Sequence, residues 1–120
     1  VKMLGPLSEK EKIKYLDWCD VLILPSYYEA FGLPLIEAMA RGKPVIATET
    51  IGGTSLVKNS ETGFLVKIGE SKSIADALAK FLVNPWLKYE MGQNALRYAA
   101  NFQMEGMIKN HIYAYKKMLD

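Results

Sequence analysis

The chain from Val21 to Glu37 reads VLILPSYYEAFGLPLIE, and the change of pattern inside this stretch decides the fold. Its first part, VLIL, is apolar throughout, which is typical of a parallel strand covered on both faces. Its last part continues into AMARG and predicts a short helix that ends near Gly42. A turn from strand to helix leaves unpaired N–H groups at the helix start, and these favour an anion. The stretch therefore predicts a site for a phosphate-bearing ligand, flanked by the carboxylates of Glu29 and Glu37.

The segments on either side continue the alternation of strand and helix. Short buried strands are predicted at 45–48 and 64–66, and helices at about 9–19, 71–84, 85–99 and 105–119. The first helix opens with a capping box formed by Ser8 and Glu11, and Ser71 or Ser73 is the expected cap of the second long helix. Alternation of this kind predicts an α/β fold with a doubly wound, parallel, Rossmann-like sheet.

The length of the chain fits one domain. Residues 1–4 resemble the tail of a strand that Gly5-Pro6 ends, so the chain is expected to begin within an element. We therefore predict that residues 1–120 form a partial domain without its N-terminal strands, with C-terminal helices over about 85–120. The last helix carries apolar positions that would favour self-association if they are exposed, namely Ile108, Ile112, Tyr115 and Leu119.

Composition argues against several classes of protein. A net charge of +2, with basic and acidic residues interspersed, provides no basic stripe for nucleic acid. The apolar runs are far shorter than the ~20 residues that span a bilayer, so we expect no transmembrane segment. The expected location is the cytoplasm, or the periphery of a membrane for a longer protein. The single cysteine, Cys19, permits no internal disulfide and is interpreted as a packed helix residue, and the single histidine, His111, has no second candidate metal ligand beside it.

In a parallel sheet the ligand lies outside the carboxyl ends of the strands. This rule selects four loops, at 5–8, 25–34, 49–55 and 67–71. The third contains Gly52-Gly53, which permits unusual backbone angles or the close approach of a ligand. No Walker pattern and no Gly-x-Gly-x-x-Gly sequence occurs, so neither a P-loop nor a standard dinucleotide site is supported.

The residues of the turn also have purely structural explanations. Glu37 is predicted near the first turn of its helix, where the helix dipole would stabilise a carboxylate by a few tenths of a kcal/mol up to ~1 kcal/mol. Glu29 could be an ordinary loop residue. Tyr27 and Phe31 are interpreted as core residues, and the Lys and Glu residues that begin the first helix as a solvated face.

The order of residues around the turn resembles the donor-binding signature of the retaining group 1, family 4-like glycosyltransferases of the GT-B fold. The matching residues are Pro25-Ser26, Glu29 to Pro34, Glu37 to Ala40, Gly42, Pro44 to Ala47, Gly52-Gly53 and Thr62 to Val66. The match is strong as far as Val66 and loose beyond it. The resemblance implies that the chain is the C-terminal, donor-binding half of such an enzyme.

The resemblance implies a role for each matching residue. Glu29 is the catalytic assignment, because in this family it contacts hydroxyls of the transferred sugar; its expected contribution is positioning and charge stabilisation, not covalent attack. Glu37 is expected to hydrogen-bond the ribose hydroxyls of the nucleotide. Backbone positions complete the implied donor site, with Phe31, Gly32 and Leu33 facing the sugar and diphosphate and Leu7 beside the nucleobase.

The implied donor is a nucleotide-diphosphate sugar, such as a UDP or GDP sugar, and the implied transfer retains the anomeric configuration. No metal or other cofactor is expected. The family's Arg and Lys that grip the diphosphate would lie upstream of Val1, and the acceptor domain is missing, so the chain alone is expected to be inactive. The acidic residue that often follows the glycine pair is replaced here by Thr54 and Ser55, which leaves the role of that loop open.

Two other interpretations remain open. One is a non-catalytic α/β binding or interaction module with the same fold. The other is a nucleotide-sugar epimerase or phosphorylase of the GT-B fold, against which the Glu29–Glu37 signature argues.

Overall fold

A computed structural model of the chain describes residues 1–102 and 116–118. The elements run in the order α1 (Glu9–Trp18), β1 (Leu22–Leu24), α2 (Leu33–Met39), β2 (Val45–Thr48), α3 (Ile51–Leu56), β3 (Gly63–Val66), α4 (Ser71–Val83), α5 (Pro85–Ala99) and a 3-10 turn (Ala100–Phe102). Residues 116–118 are helical. The apolar stripe predicted for the last helix, and His111, lie outside the described residues.

The three strands form one parallel sheet in the order β1-β2-β3. Ile46 of the central strand is in register with Ile23 on one side and Phe64 on the other. Every residue of β2 is buried, as expected for a strand with neighbours on both edges and helices on both faces. The predicted α/β fold with a parallel sheet is confirmed.

Two apolar layers cover the two faces of the sheet. Side chains of β2 alternate between them, because successive residues of a strand point to opposite faces. Val45 and Ala47 pack with buried residues of α1, α2 and α3, whereas Ile46 packs with buried residues of β3 and α4. The helix α5 contributes Met91 to the second layer and Ala95 to the first, so it connects the two.

Helix α2 is held by one face that is completely buried. Leu35, Ala38 and Met39 are all 0% exposed and belong to the first layer. Replacing Leu35 by alanine would cost about 2–5 kcal/mol, the usual range for a large-to-small change in a core. Because this face anchors α2, it also fixes the position of the loop that precedes the helix and the position of Glu37 within the helix.

Several details differ from the expectations. Residues 1–4 form no strand and are exposed. Tyr27 and Phe31 are not core residues but are 79% and 54% exposed. Ser71 is the first residue of α4 and does not cap it; the N-cap is Glu70, whose side chain makes no cap hydrogen bond.

Cys19 lies one residue beyond α1 and not inside it. It is the C-cap residue, its thiol donates to the Leu16 carbonyl at 3.3 Å, and it is half-buried. Burial raises the pKa of the Cys19 thiol, so the thiolate is disfavoured. The prediction of a packed, unreactive thiol agrees with this environment, although the helix ends earlier than predicted.

Candidate functional site

The turn from β1 into α2 depends on a glycine. Gly32 is the N-cap of α2 and has φ 84° and ψ 44°, the left-handed conformation that glycine adopts without steric cost. It is also enclosed, because a Cβ on Gly32 would lie 3.0 Å from Leu35 Cδ1. Pro34 follows in the first turn of the helix, where its fixed φ and missing N–H are compatible with helix formation.

The carboxylate of Glu29 folds back onto the same turn. Its Oε1 accepts hydrogen bonds from the N–H groups of Phe31 at 3.2 Å and Gly32 at 3.0 Å. Two of the three N–H groups expected to face a sugar diphosphate are therefore bonded to a protein carboxylate in this structure. For the third, at Leu33, the described residues provide no acceptor.

The glycine pair lies within α3 and not in an irregular loop. The N–H of Gly52 donates to the Glu29 carbonyl at 2.7 Å, and a Cβ on Gly52 would lie 2.8 Å from the carbonyl carbon of Phe31. A Cβ on Gly53 would lie 2.1 Å from the carbonyl oxygen of Thr48. Neither glycine has a positive φ. The pair is required because α3 packs directly on backbone, including that of the Glu29 turn.

A buried threonine holds the beginning of the loop that joins β1 to α2. Thr48, the last residue of β2, is 2% exposed, and its hydroxyl donates to the Ser26 carbonyl at 2.6 Å. Thr48 was predicted only as part of a buried strand and not as a support of the site. The available signal was a hydroxyl side chain at the carboxyl end of a strand that is otherwise apolar.

Glu37 lies further along α2 than predicted. It is the fifth residue of the helix, beyond the first turn, so the helix dipole does not explain its presence. Its Oε1 accepts a hydrogen bond from Lys12 Nζ at 2.8 Å, and the same ammonium donates to Glu9 at 2.9 Å. The hydrogen bond that Lys12 donates to Glu37, and then the one that it donates to Glu9, raise the pKa of Lys12. The interpretation of this part of α1 as a purely solvated face is therefore wrong for Lys12.

The loop that carries Leu7 is fixed by the predicted capping box. Ser8 Oγ accepts from the Glu11 N–H at 3.3 Å, and Glu11 Oε2 accepts from the Ser8 N–H at 2.9 Å. Hydrogen bonding to the Ser8 hydroxyl, and then to its backbone, lowers the pKa of Glu11. Leu7 itself is 38% exposed. Lys12 lies in α1, the helix that begins directly after Ser8, and it donates to Glu37. The loop that carries Leu7 is therefore connected to Glu37 through α1.

The structure thus brings the predicted residues together in two adjoining groups. Glu29 and the N–H groups of residues 31–33 share the turn before α2, while Glu37 is joined through Lys12 to the helix that follows Leu7. Exposed apolar side chains surround the loops at this edge of the sheet, namely Tyr27, Tyr28, Phe31, Leu33, Ile51 and Ile68. A separate apolar cleft beside Tyr15 and Trp18, on another face of α1, contains none of the predicted site residues.

Within residues 1–102 and 116–118, no three His, Cys, Asp or Glu side chains are grouped so as to hold a metal ion. None of the helices in these ranges is long and apolar enough to cross a membrane.

Comparison with known proteins shows the family to which the chain belongs. The sequence profile of the family described as glycosyl transferases group 1 matches residues 1–98. The chain belongs to this family.

Relatives and solved structures agree with the assignment. The chain is 36% identical over 105 residues to a D-inositol 3-phosphate glycosyltransferase of Corynebacterium jeikeium, a match that covers 88% of the chain and 25% of the relative. Sucrose-phosphate synthase from Thermosynechococcus elongatus has a TM-score of 0.89 at 32% identity, over 99% of the chain and 30% of that protein. Anabaena HepE, solved in complex with UDP-glucose, has a TM-score of 0.83 at 27% identity, over 100% of the chain and 32% of HepE. The chain thus spans about a quarter to a third of the length of these proteins.

Proposed function

We propose that the chain is the donor-binding part of a longer glycosyltransferase that transfers a sugar from a nucleotide-diphosphate sugar with retention of configuration. The observation that carries this proposal is the placement of Glu29 and Glu37 around the start of α2, at the carboxyl end of a parallel strand, in a chain of this family. The UDP-glucose complex of the similar protein HepE supports a nucleotide sugar as the donor. The candidate donors are UDP sugars and GDP sugars.

Glu29 has the position and the free lone pairs for a contact with the transferred sugar. Its Oε1 holds the turn through the Phe31 and Gly32 N–H groups, whereas Oε2 has no protein donor among the described residues. A carboxylate has about four acceptor sites, so Oε2 can accept from a sugar hydroxyl without loss of the turn. The N–H of Leu33, at the start of α2, is the available backbone donor for the diphosphate.

In the proposed reaction, the bond between the anomeric carbon and the diphosphate oxygen breaks, and the acceptor oxygen bonds to the anomeric carbon on the same face. The acceptor proton leaves with the diphosphate. Positive charge develops on the sugar ring during this step, and Glu29 stabilises it electrostatically. This scheme needs no metal ion.

The remaining parts of the site would come from elsewhere in the longer protein. These are an N-terminal acceptor domain and the basic residues that bind the diphosphate. The chain alone would then bind donor weakly and transfer nothing. The proposed nucleotide contacts within the chain are the backbone of Leu7 for the base and Glu37 for the ribose.

The proposal is tested by replacing Glu37 in the longer protein. Glu37→Ala removes a charged hydrogen-bond acceptor of the ribose and should weaken donor binding about 10-fold or more, because a hydrogen bond to a charged group contributes ~1.5–3 kcal/mol. Binding of UDP, GDP and their glucose and mannose conjugates is measured by calorimetry, together with transfer kinetics.

The matched control is Glu90→Ala, which removes an exposed glutamate on α5. It should leave donor affinity unchanged. Unchanged affinity and kinetics in Glu37→Ala would remove Glu37 from the site. A wild-type protein that binds no nucleotide or nucleotide sugar would refute the proposed function.

A further inference from the structure

A lysine of the first helix contacts the carboxylate that we assign to the ribose. Lys12 Nζ lies 2.8 Å from Glu37 Oε1 and 2.9 Å from Glu9 Oε1, so it bridges α1 and α2. The pair is partly enclosed, with 34% of the Lys12 side chain and 27% of the Glu37 side chain exposed. In the part of the chain that the structure describes, Lys12 is the one side chain that donates to Glu37. Glu37 Oε2 is therefore available to a ligand.

The Lys12–Glu37 pair matches the chemistry of a vicinal diol. Each ribose hydroxyl donates one hydrogen bond and can accept others. A carboxylate can only accept, whereas an ammonium group can only donate, through three N–H groups. Glu37 and Glu9 each take one N–H of Lys12, which leaves a further donor for a hydroxyl oxygen. Side by side, the two side chains offer both kinds of partner.

Other contacts already attach α1 to the end of α2. Arg41 donates through Nε and Nη2 to the Asp17 carboxylate, and Lys43 Nζ donates to the Asp17 carbonyl at 2.8 Å. The attachment of the two helices thus does not depend on Lys12 alone. Arg41 lies about one helical turn beyond Glu37, so its ion pair is a matched control.

We propose that Lys12 belongs to the ribose subsite, where it fixes Glu37 Oε1 and donates to the diol while Glu37 Oε2 accepts from it. This inference rests on the proposed function, because it requires Glu37 to face the ribose of a nucleotide. It adds to the site a residue that lies 25 positions before Glu37 in the sequence.

The test compares nucleotides with and without the diol. The longer protein and its Lys12→Met and Arg41→Met variants are titrated by calorimetry with UDP and with 2′,3′-dideoxy-UDP. GDP and its dideoxy analogue are used instead if the wild type prefers GDP. Lys12→Met should weaken binding of the natural nucleotide about 10-fold, the size expected for a charge-assisted hydrogen bond. It should leave the already weak binding of the dideoxy analogue unchanged. Arg41→Met should bind both ligands as the wild type does.

A conservative variant distinguishes the loss of a ligand contact from misfolding. Lys12→Arg keeps the charge and the donors and should bind the natural nucleotide within a few-fold of the wild type. The inference is overturned if Lys12→Met binds the natural nucleotide normally, or if it loses equal affinity for the dideoxy analogue, which would indicate a general charge effect. A wild type that binds neither UDP nor GDP refutes the proposed function instead, so the two failures are distinguishable.

Discussion

Replacing Gly52 by alanine should displace the turn that carries Glu29. The added Cβ would lie 2.8 Å from the Phe31 carbonyl carbon, 2.9 Å from its oxygen and 3.0 Å from Glu29 Cγ. Carbon atoms in good contact are about 3.5–4.0 Å apart, so α3 and the turn must separate by about 0.7 Å or more. The same movement lengthens the hydrogen bond from the Gly52 N–H to the Glu29 carbonyl, which is now 2.7 Å.

Gly52→Ala should change both the free energy of unfolding and the rate of transfer. Two opposing effects determine the change in the free energy of unfolding. Overpacking costs about 1–3 kcal/mol, while alanine in place of a helical glycine gains about 0.5–1 kcal/mol. The net loss is about 1 kcal/mol, which lowers the urea midpoint by roughly 0.5 M at an m-value of ~2 kcal/mol/M. A displacement approaching 1 Å at a reacting group can lower the rate by about 100-fold.

The assay separates transfer from nucleotide binding. In the longer protein, Gly52→Ala should reduce transfer at least 10-fold, within the range that such a displacement allows. UDP affinity should fall less than transfer does, because the proposed base and ribose contacts lie on other elements and only the Leu33 N–H lies beside the displaced turn. Ser55→Ala is the control, since Ser55 lies in the same helix and its exposed side chain donates only to the Ile51 carbonyl. It should leave transfer unchanged.

Two outcomes would refute this reasoning. Normal transfer by Gly52→Ala would mean that the turn tolerates the added methyl group or that Glu29 is not part of the chemistry. A loss of transfer of equal size in Ser55→Ala would show that any disturbance of α3 is sufficient. The contact of Gly52 with the turn would then not be the cause of the loss of transfer in Gly52→Ala.

Three further predictions concern the supports of the site. Thr48→Val keeps the volume but leaves the partly buried Ser26 carbonyl without its hydroxyl donor, so it should lower the free energy of unfolding by about 1 kcal/mol, measured by urea denaturation. Ser8→Ala removes the N-cap of α1 and should cost about 1 kcal/mol; an unchanged urea midpoint would contradict the capping role. The Arg41 guanidinium lowers the pKa of Asp17, so this group stabilises the fold above the ordinary aspartate pKa of about 4 and the contribution is lost as pH falls below it. Asp17→Asn should therefore flatten the loss of stability below about pH 4, and an unaltered acid limb in thermal unfolding would be evidence against the ion pair.

Local patterns predicted the regular elements well. The apolar run at 45–48 is the central strand, Ser8 and Glu11 form the capping box, and the helix after Asn84 begins at Pro85 and ends at Ala99. These features depend on residues close together in sequence, so a single sequence contains the information. The turn between β1 and α2 was also predicted, because Gly32 and its flanking apolar runs are local signals.

The errors concern contacts between distant segments. The requirement for glycine at 52 and 53 comes from the backbone of Phe31 and Thr48 and not from the dihedral angles of the glycines, so no local rule identifies it. The pairing of Lys12 with Glu37 likewise depends on how α1 lies against α2. Tyr27 was predicted as a core residue because it is aromatic, but its side chain is exposed. Residue type alone does not distinguish a buried aromatic side chain from an exposed one.

The contribution of α5 to both apolar layers determines where this domain can be cut. A piece that ended at Val83 would retain all of the proposed donor contacts, but it would lose Met91 from one face of the sheet and Ala95 and Ala99 from the other. Gly92 also packs tightly, since a Cβ there would lie 2.3 Å from the Gly42 carbonyl oxygen just after α2. An expression boundary for binding studies should therefore lie beyond residue 99, and a shorter piece is expected to aggregate through both exposed faces.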